Sequence, residues 1–379
     1  VREALLAHRV AAGAARRRGE VLGLLGELAA LDAPSGDVEL LDATADVLEA
    51  RLGALGLEVR RIDGPAGAHL EARTAGAGAP IAILGHYDTV WAKGTAGERP
   101  FRVQDGVAHG PGVFDMRGGI VAALTALAVL RDLDALDRPV TVLLTADEET
   151  GSVTSQQHIV RVGREARAVL IPEPPMAGGG LKTQRKGVLS YGLRVTGRSA
   201  HAGLDPERGI SAISELVALA GDVERAASSA EGTTVNVGLI AGGTRSNVVA
   251  AAASAEVDVR VATMGEYERM TAFFAGLGAR LPGASLEVEL LHARPPLERT
   301  AAIAGAVARA RGLAALLGFD LGEGSAGGGS DGNFLAPLGV AVLDGLGPDG
   351  GGAHALDEHV LLDSLEQRVA LIAVLVALL

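Results

Sequence analysis

Three short apolar runs in the first half of the chain each end in residues able to bind a cation. Ile81-Ala82-Ile83-Leu84 leads into His86-Tyr87-Asp88, and Thr141-Val142-Leu143-Leu144-Thr145 into Asp147-Glu148-Glu149. Ala168-Val169-Leu170-Ile171 leads into Pro172-Glu173-Pro174. Their length and branched side chains predict buried strands. Between them the period changes. Residues 38–55 place Leu40, Leu41, Val47, Leu48 and Leu52 at helical spacing, and Gly118-Gly119 opens an apolar helix from Ile120 to Leu130. Strands alternating with helices predict an α/β domain with a mixed, largely parallel sheet. Ligands of such sheets bind just beyond the carboxyl ends of the strands, where all three polar exits fall.

The pattern changes near Lys186-Gly187. Predicted strands at 188–196, 233–240, 251–261 and 285–291 and helices at 210–227 and 267–281 follow the order β-α-β-β-α-β. That order predicts a split, ferredoxin-like α+β unit inserted into the larger domain. The expected division is residues 1–186 and 294–379 for the α/β domain and 187–293 for the insert. After it come a helix over 301–317, a strand Val340–Leu343 and a C-terminal helix. The glycine-dense stretch from Gly322 to Gly352 reads as loops whose backbone approaches a ligand closely.

A chain of 379 residues exceeds one ordinary core, which agrees with two domains. The net charge of -12 disfavours nucleic acid or an anionic membrane as partner. Absence of cysteine removes disulfides, thiolate ligands and a cysteine nucleophile. No uninterrupted apolar run suggests a transmembrane helix. Arg16-Arg17-Arg18 before Val21–Leu25 imitates a signal peptide, but Glu20, Glu27 and Asp32 break the apolar part, so a cytoplasmic location is expected. Residue 1 is Val, which leaves room for upstream sequence.

His86, Asp88, Asp115, Glu148, Glu149, Glu173 and His354 form a set of imidazoles and carboxylates. Such nitrogen and oxygen donors suit zinc, with cobalt or manganese as alternatives. Gly85–Val90, Gly110–Gly119 and Thr145–Ser152, in this order, resemble the motifs of the co-catalytic metallopeptidases. That family includes glutamate carboxypeptidases, acetylornithine deacetylase, succinyl-diaminopimelate desuccinylase and the aminoacylases. Trp91 and Lys93 are similar to the glutamate carboxypeptidase branch.

The resemblance implies two Zn2+ per subunit, bridged by Asp115. It gives His86 and Glu173 to one ion, Glu149 and His354 to the other. Asp88 would orient His86, and Glu148 would act as general base. A cis peptide after Asp115 is also implied. In the insert, Gly197–Gly203 resembles the family's histidine motif, so His201 would stabilise an oxyanion, in its own or a partner subunit. Arg260 would pair with a substrate carboxylate, with Asn247 and the glycine loop at Gly329 beside it. The implied activity is hydrolysis of an amide next to a free carboxylate in a peptide or N-acyl amino acid. A homodimer is implied too, with the insert serving as lid and dimerisation domain.

From the residues alone, adjacent Glu148 and Glu149 leaving an extended strand should face opposite ways, which suits different roles. His359 is the rival to His354, and Arg260 could simply pair with a neighbouring acid. Gly328-Gly329-Ser330-Asp331-Gly332 matches the letters of a serine nucleophile elbow, but no apolar strand leads into it. Two other classes stay open: a non-catalytic metal-containing binding protein, and a nucleotide-dependent α/β enzyme suggested by Gly110-Pro111-Gly112.

Overall fold

The computed structural model describes residues Val1–Leu379, which divide into two compact units. One comprises Val1–Thr183, Arg299–Ala326 and Ser330–Leu379; the other comprises Gln184–Glu298 with Gly327–Gly329.

The first unit is built on an eight-stranded mixed sheet. Strand Ile81–His86 runs parallel to Val140–Thr145 on one side and to Ala168–Ile171 on the other, and Val342–Asp344 continues in parallel beyond the latter. Antiparallel strands Glu58–Ile62, His69–Arg73 and Leu181–Arg185 extend it toward the edges, with Glu323–Ala326 outermost. Ile81–His86 and Val140–Thr145 are buried at every position, as expected of parallel strands covered on both faces. Registry pairs His86 with Thr145, so the two polar exits leave the sheet side by side.

Helix Gly118–Asp132 packs against the C-terminal helix Leu362–Leu378 and the N-terminal helix Arg2–Arg16. With the turn before it, it forms a segment Val113–Asp132 long and apolar enough to cross a membrane, but 94% of its apolar window is buried inside the protein. It is a core helix that the reading of apolar runs did not single out by length. Its first turn needs glycine: a Cβ on Gly119 would lie 1.7 Å from the carbonyl oxygen of Pro172. Helix start and strand exit are thereby drawn together.

Three features differ from the expected elements. The last sheet strand lies at Val342–Asp344 rather than 340–343, and the glycine-rich stretch holds the further strand Glu323–Ala326. A second small sheet, formed by Arg102–Gln104, Val107–His109, Gly350–Gly351 and His359–Leu361, had no sequence signal. Strands of two or three residues are too short for periodicity to register.

The second unit is a four-stranded antiparallel sheet in the order Thr234–Gly242, Ala252–Val261, Gly187–Thr196, Ser285–Arg294. Two helices, Ala212–Arg225 and Met264–Ala275, cover one face. Along Gly187–Thr196, Leu189, Tyr191, Leu193 and Val195 point into that core while alternate residues do not. Tyr191 stacks on Phe274 with ring centroids 3.8 Å apart. Strand order and connectivity are those of the split β-α-β pattern. The chain enters and leaves this unit on paired backbone, with Arg185 and Leu297 exchanging hydrogen bonds at 2.9 and 3.0 Å.

Candidate metal centre

The exit of strand Ile81–His86 places an almost fully buried imidazole, 1% exposed, at the carboxyl end of a central strand. His86 Nδ1 lies 3.1 Å from the backbone carbonyl of Asp88. A carbonyl only accepts, so this nitrogen donates, and Nε2 is the ring atom turned toward the cluster. Nε2 lies 3.3 Å from Asp115 Oδ1 and 3.5 Å from Glu173 Oε1. Across the cluster, His354 Nε2 lies 3.4 Å from Asp115 Oδ2 and 3.3 Å from Glu149 Oε2. The two oxygens of Asp115 thus face different imidazoles, each accompanied by its own glutamate.

Local backbone accounts for these positions. Residues Val113–Arg117 form a distorted turn in which Asp115 is extended (φ -117, ψ 98), and the Asp115–Met116 peptide is cis. Glu148–Thr150 is a tight turn closed by Gly151 at φ +98, not an extended exit. The expected opposition of Glu148 and Glu149 across a strand therefore does not apply; both come from one turn. Proximity still separates them: Glu149 groups with His86 and Asp115, Glu148 with His86 and Glu173, each set with its ligand-type atoms within 4.8 Å of one another. His354 occupies a left-handed backbone position (φ +61), uncommon for a residue with a Cβ.

Asp88 does more than stand behind His86. Its Oδ1 is 3.4 Å from His86 Nδ1 and accepts the Glu148 N–H at 3.2 Å. Its Oδ2 accepts the Glu149 N–H at 3.2 Å and the Ser35 hydroxyl at 2.7 Å. Asp147 caps its own loop, accepting Thr154 N and Oγ1 at 2.7 Å, and is no part of the cluster.

The electrostatics describe a cavity that calls for positive charge. Burial disfavours a charged His86, but the Asp115, Asp88 and Glu173 carboxylates outweigh it and hold its pKa well above the usual imidazole range. The Asp115 carboxylate beside His354 raises that residue to about 9 against its own partial burial. Burial, with Asp115 and Glu148 adding repulsion, pushes Glu149 up to about 8. Burial works against ionised Asp115 as well, but His354 and His86 keep it well below the usual carboxylate range. His86 Nε2, Asp115 Oδ1 and Glu149 Oε1 are buried with no hydrogen-bond partner. Such orphaned donor atoms are costly unless something else is bound to them. An all-nitrogen-and-oxygen set that includes two imidazoles fits a divalent transition metal.

The remaining candidates lie in the second unit. His201 is exposed, and its Nδ1 accepts the N–H groups of Gly203 and Leu204, both at 3.1 Å. A ring nitrogen that accepts twice leaves the proton on Nε2, which is then a donor. Asn247 is exposed and its carbonyl accepts Ala202 N at 3.0 Å, tying it to the His201 loop. The Arg260 guanidinium grips Asp258 through Nε at 2.8 Å and Nη2 at 2.9 Å, the neighbouring-acid pairing the strand pattern allowed. The Gly329 carbonyl accepts Arg185 Nη1 at 3.0 Å, and a Cβ there would lie 2.9 Å from Arg294 Cδ.

Two rivals fall away. His359 Nδ1 pairs with the Asp357 carbonyl at 2.8 Å and its ring neighbours His109, outside the cluster. The Ser330 hydroxyl is buried, donates to Asp344 and accepts Gly332 N at 3.1 Å at the start of a short turn, not on a strand-to-helix elbow. Sequence reasoning missed Glu358, whose buried carboxylate binds the Asp115 segment, and Ser35 behind Asp88. Glu358 lies four positions after His354 in the sequence, but nothing in a lone acid marks it as buried.

Residues 82–378 match the model of peptidase family M20/M25/M40. Carboxypeptidase G2 of Pseudomonas sp. (strain RS-16) is 30% identical over 366 residues, covering 94% of this chain and 88% of that protein. A succinyl-diaminopimelate desuccinylase of Stenotrophomonas maltophilia (strain K279a) is 31% identical over 319 residues, covering 77% and 82%. Among solved structures, aminopeptidase PepT from Bacillus cereus ATCC 10987 superposes with a TM-score of 0.77 at 21% identity, covering 95% of this chain and 98% of that one. A cluster of this composition at the carboxyl ends of central strands suits a metal-dependent hydrolase. The chain belongs to peptidase family M20/M25/M40. It is a hydrolytic metallopeptidase, and zinc dependence is typical of its family.

Proposed function

We propose that the protein hydrolyses an amide bond adjacent to a free carboxylate, using a pair of divalent metal ions, zinc first, at the cluster around Asp115. The observation that carries this reading is the split of the Asp115 carboxylate, with Oδ1 toward His86 and Oδ2 toward His354. His86 and Glu173 would hold one ion, Glu149 and His354 the other, with Asp115 shared. Such ions supply Lewis-acid polarisation of a carbonyl and make water more acidic.

Glu148 then has the chemistry of a general base. It belongs to the cluster's His86–Glu173 group, and its backbone is held by Asp88. Its carboxylate would take a proton from the attacking water and return it to the leaving amine nitrogen. His201, with Nε2 free to donate, would stabilise the developing oxyanion. Arg260 would bind the substrate carboxylate as a bidentate pair after exchanging Asp258 for it, with Asn247 and the Gly329 loop alongside.

Carboxypeptidase G2 by name removes a terminal residue, and the desuccinylase removes a succinyl group from diaminopimelate. Both names fit an amide flanked by a carboxylate, and the second keeps an N-acyl amino acid substrate in view. A homodimer with the inserted unit as lid and dimerisation domain completes the proposal. The test is release of free amino acid from a panel of dipeptides and N-acyl amino acids, with and without chelator. Chelator-sensitive release restored by Zn2+ or Co2+ is expected. Ion-loaded protein that releases nothing from any member would sink the reading in favour of a binding role.

A further inference from the structure

Glu358 follows His354 by four positions and is 1% exposed, although His354, Leu356 and Asp357 around it are open to solvent. Its Oε1 accepts the N–H groups of Phe114 at 3.0 Å and Asp115 at 3.1 Å. Its Oε2 accepts Gly112 N at 2.8 Å and Trp91 Nε1 at 2.8 Å. Four donors converge on two oxygens. Only an ionised carboxylate offers that many acceptor positions and no hydrogen of its own. Glutamine would replace one oxygen with an amino group, facing two N–H donors with two more. The same loop is held a second time: Arg99 covers the Trp91 ring at 4.4 Å and donates to the Leu356 carbonyl at 2.6 Å.

These contacts join two segments far apart in sequence, one carrying Asp115 and the other His354. We infer that Glu358 is a positioning residue that fixes the separation of Asp115 from His354, and through it the ion-binding geometry of that half of the cluster. The inference rests on the metal-centre reading above. It assigns Glu358 no contact with substrate. Its action runs through the backbone N–H of Asp115 and through the loop of His354. Trp91 and Arg99 act with it, by closing the loop from the other side. Groups placed behind metal ligands in this way commonly govern metal affinity.

The test uses the full chain and the variants Glu358→Gln, Glu358→Asp and Trp91→Phe. Zn2+ affinity of the chelator-stripped proteins is measured by competition with a chromophoric chelator, and the visible spectrum of each Co2+-loaded form is recorded. Glu358→Gln should bind ion roughly 10- to 100-fold more weakly and shift the Co2+ spectrum. Its kcat should fall with KM little changed, and Glu358→Asp should recover part of both. Trp91→Phe removes one donor and keeps an aromatic ring for Arg99, so it should move affinity and spectrum the same way by less. This variant decides the matter where Glu358→Gln fails to fold. Variants that lose thermal stability while keeping parental affinity and spectrum overturn the inference and leave Glu358 a loop anchor. A parent chain that takes up no divalent ion overturns the metal-centre reading and this inference with it.

Discussion

Asp88 accepts the backbone N–H of Glu148 at 3.2 Å, so the residue behind one imidazole also sets the turn that carries the proposed base. Because its other oxygen holds Glu149 N, a single carboxylate reaches three members of the cluster. Asp88→Asn puts an amino group against one of those N–H donors. Zn2+ affinity should drop about 10- to 100-fold and kcat with it. A variant that binds and turns over like the parent would remove Asp88 from this role.

Glu148→Ala separates base from ligand. The variant should keep its metal content and lose roughly 10²- to 10⁴-fold in kcat, measured by elemental analysis beside steady-state kinetics. Retained turnover would place the base elsewhere.

The ion-free protein should lose thermal stability as pH rises from about 5 to 9. Glu149 titrates near 8 when folded, so above its unfolded value of 4.5 the fold holds a proton that the unfolded chain has released. His354 contributes stability that is complete below its unfolded value of 6.5 and lost as pH rises through about 9. Raised His86 acts in the same direction. Metal loading should therefore release protons over this window and tighten as pH rises. Melting temperatures of chelator-treated protein across the range check the sign, and a melting temperature that climbs toward pH 9 contradicts it.

Arg260→Ala should raise KM for substrates with a free carboxylate by about 10-fold or more, the scale of a lost charged hydrogen-bonded contact. An amidated analogue should change far less. Asp258→Asn should lower KM modestly, because Asp258 now occupies the face of Arg260 proposed to receive a substrate carboxylate. Equal loss on the acid and its amide would count against the clamp.

Gly119→Ala should cost about 3 kcal/mol or more, since its Cβ would fall 1.7 Å from the Pro172 oxygen. Denaturant unfolding measures this directly. A cost under about 1 kcal/mol, that of an ordinary helix site, would show that the strand exit yields.

Much of the candidate cluster is legible in the sequence because its side chains leave apolar strands that announce themselves. His86 and Asp88, Glu148 and Glu149, and Glu173 each follow a buried run. The inserted unit is legible too, since Gly187–Thr196 and Ala252–Val261 alternate cleanly against one core. What escapes lies in contacts between distant segments. Glu358 reads as a loop acid until Trp91 and Gly112 are seen to surround it. The turn at Glu148–Thr150 escapes because its shape depends on Asp88, 60 residues earlier. The engagement of Arg260 with Asp258 was foreseeable only as an alternative, because residues two apart on a strand share a face.

The donor atoms of this cluster are unequally sheltered. His86 is walled in at 1% exposure, whereas the side chain of His354 is 51% exposed on a loop in left-handed backbone. In the proposed two-ion centre the half closed by His86 and Glu173 would act as a socket, the half closed by His354 as a latch. Ions should therefore enter and leave through the latch, giving two unequal exchange rates. Partial depletion would then leave a population holding one ion in the socket, instead of a mixture of full and empty protein.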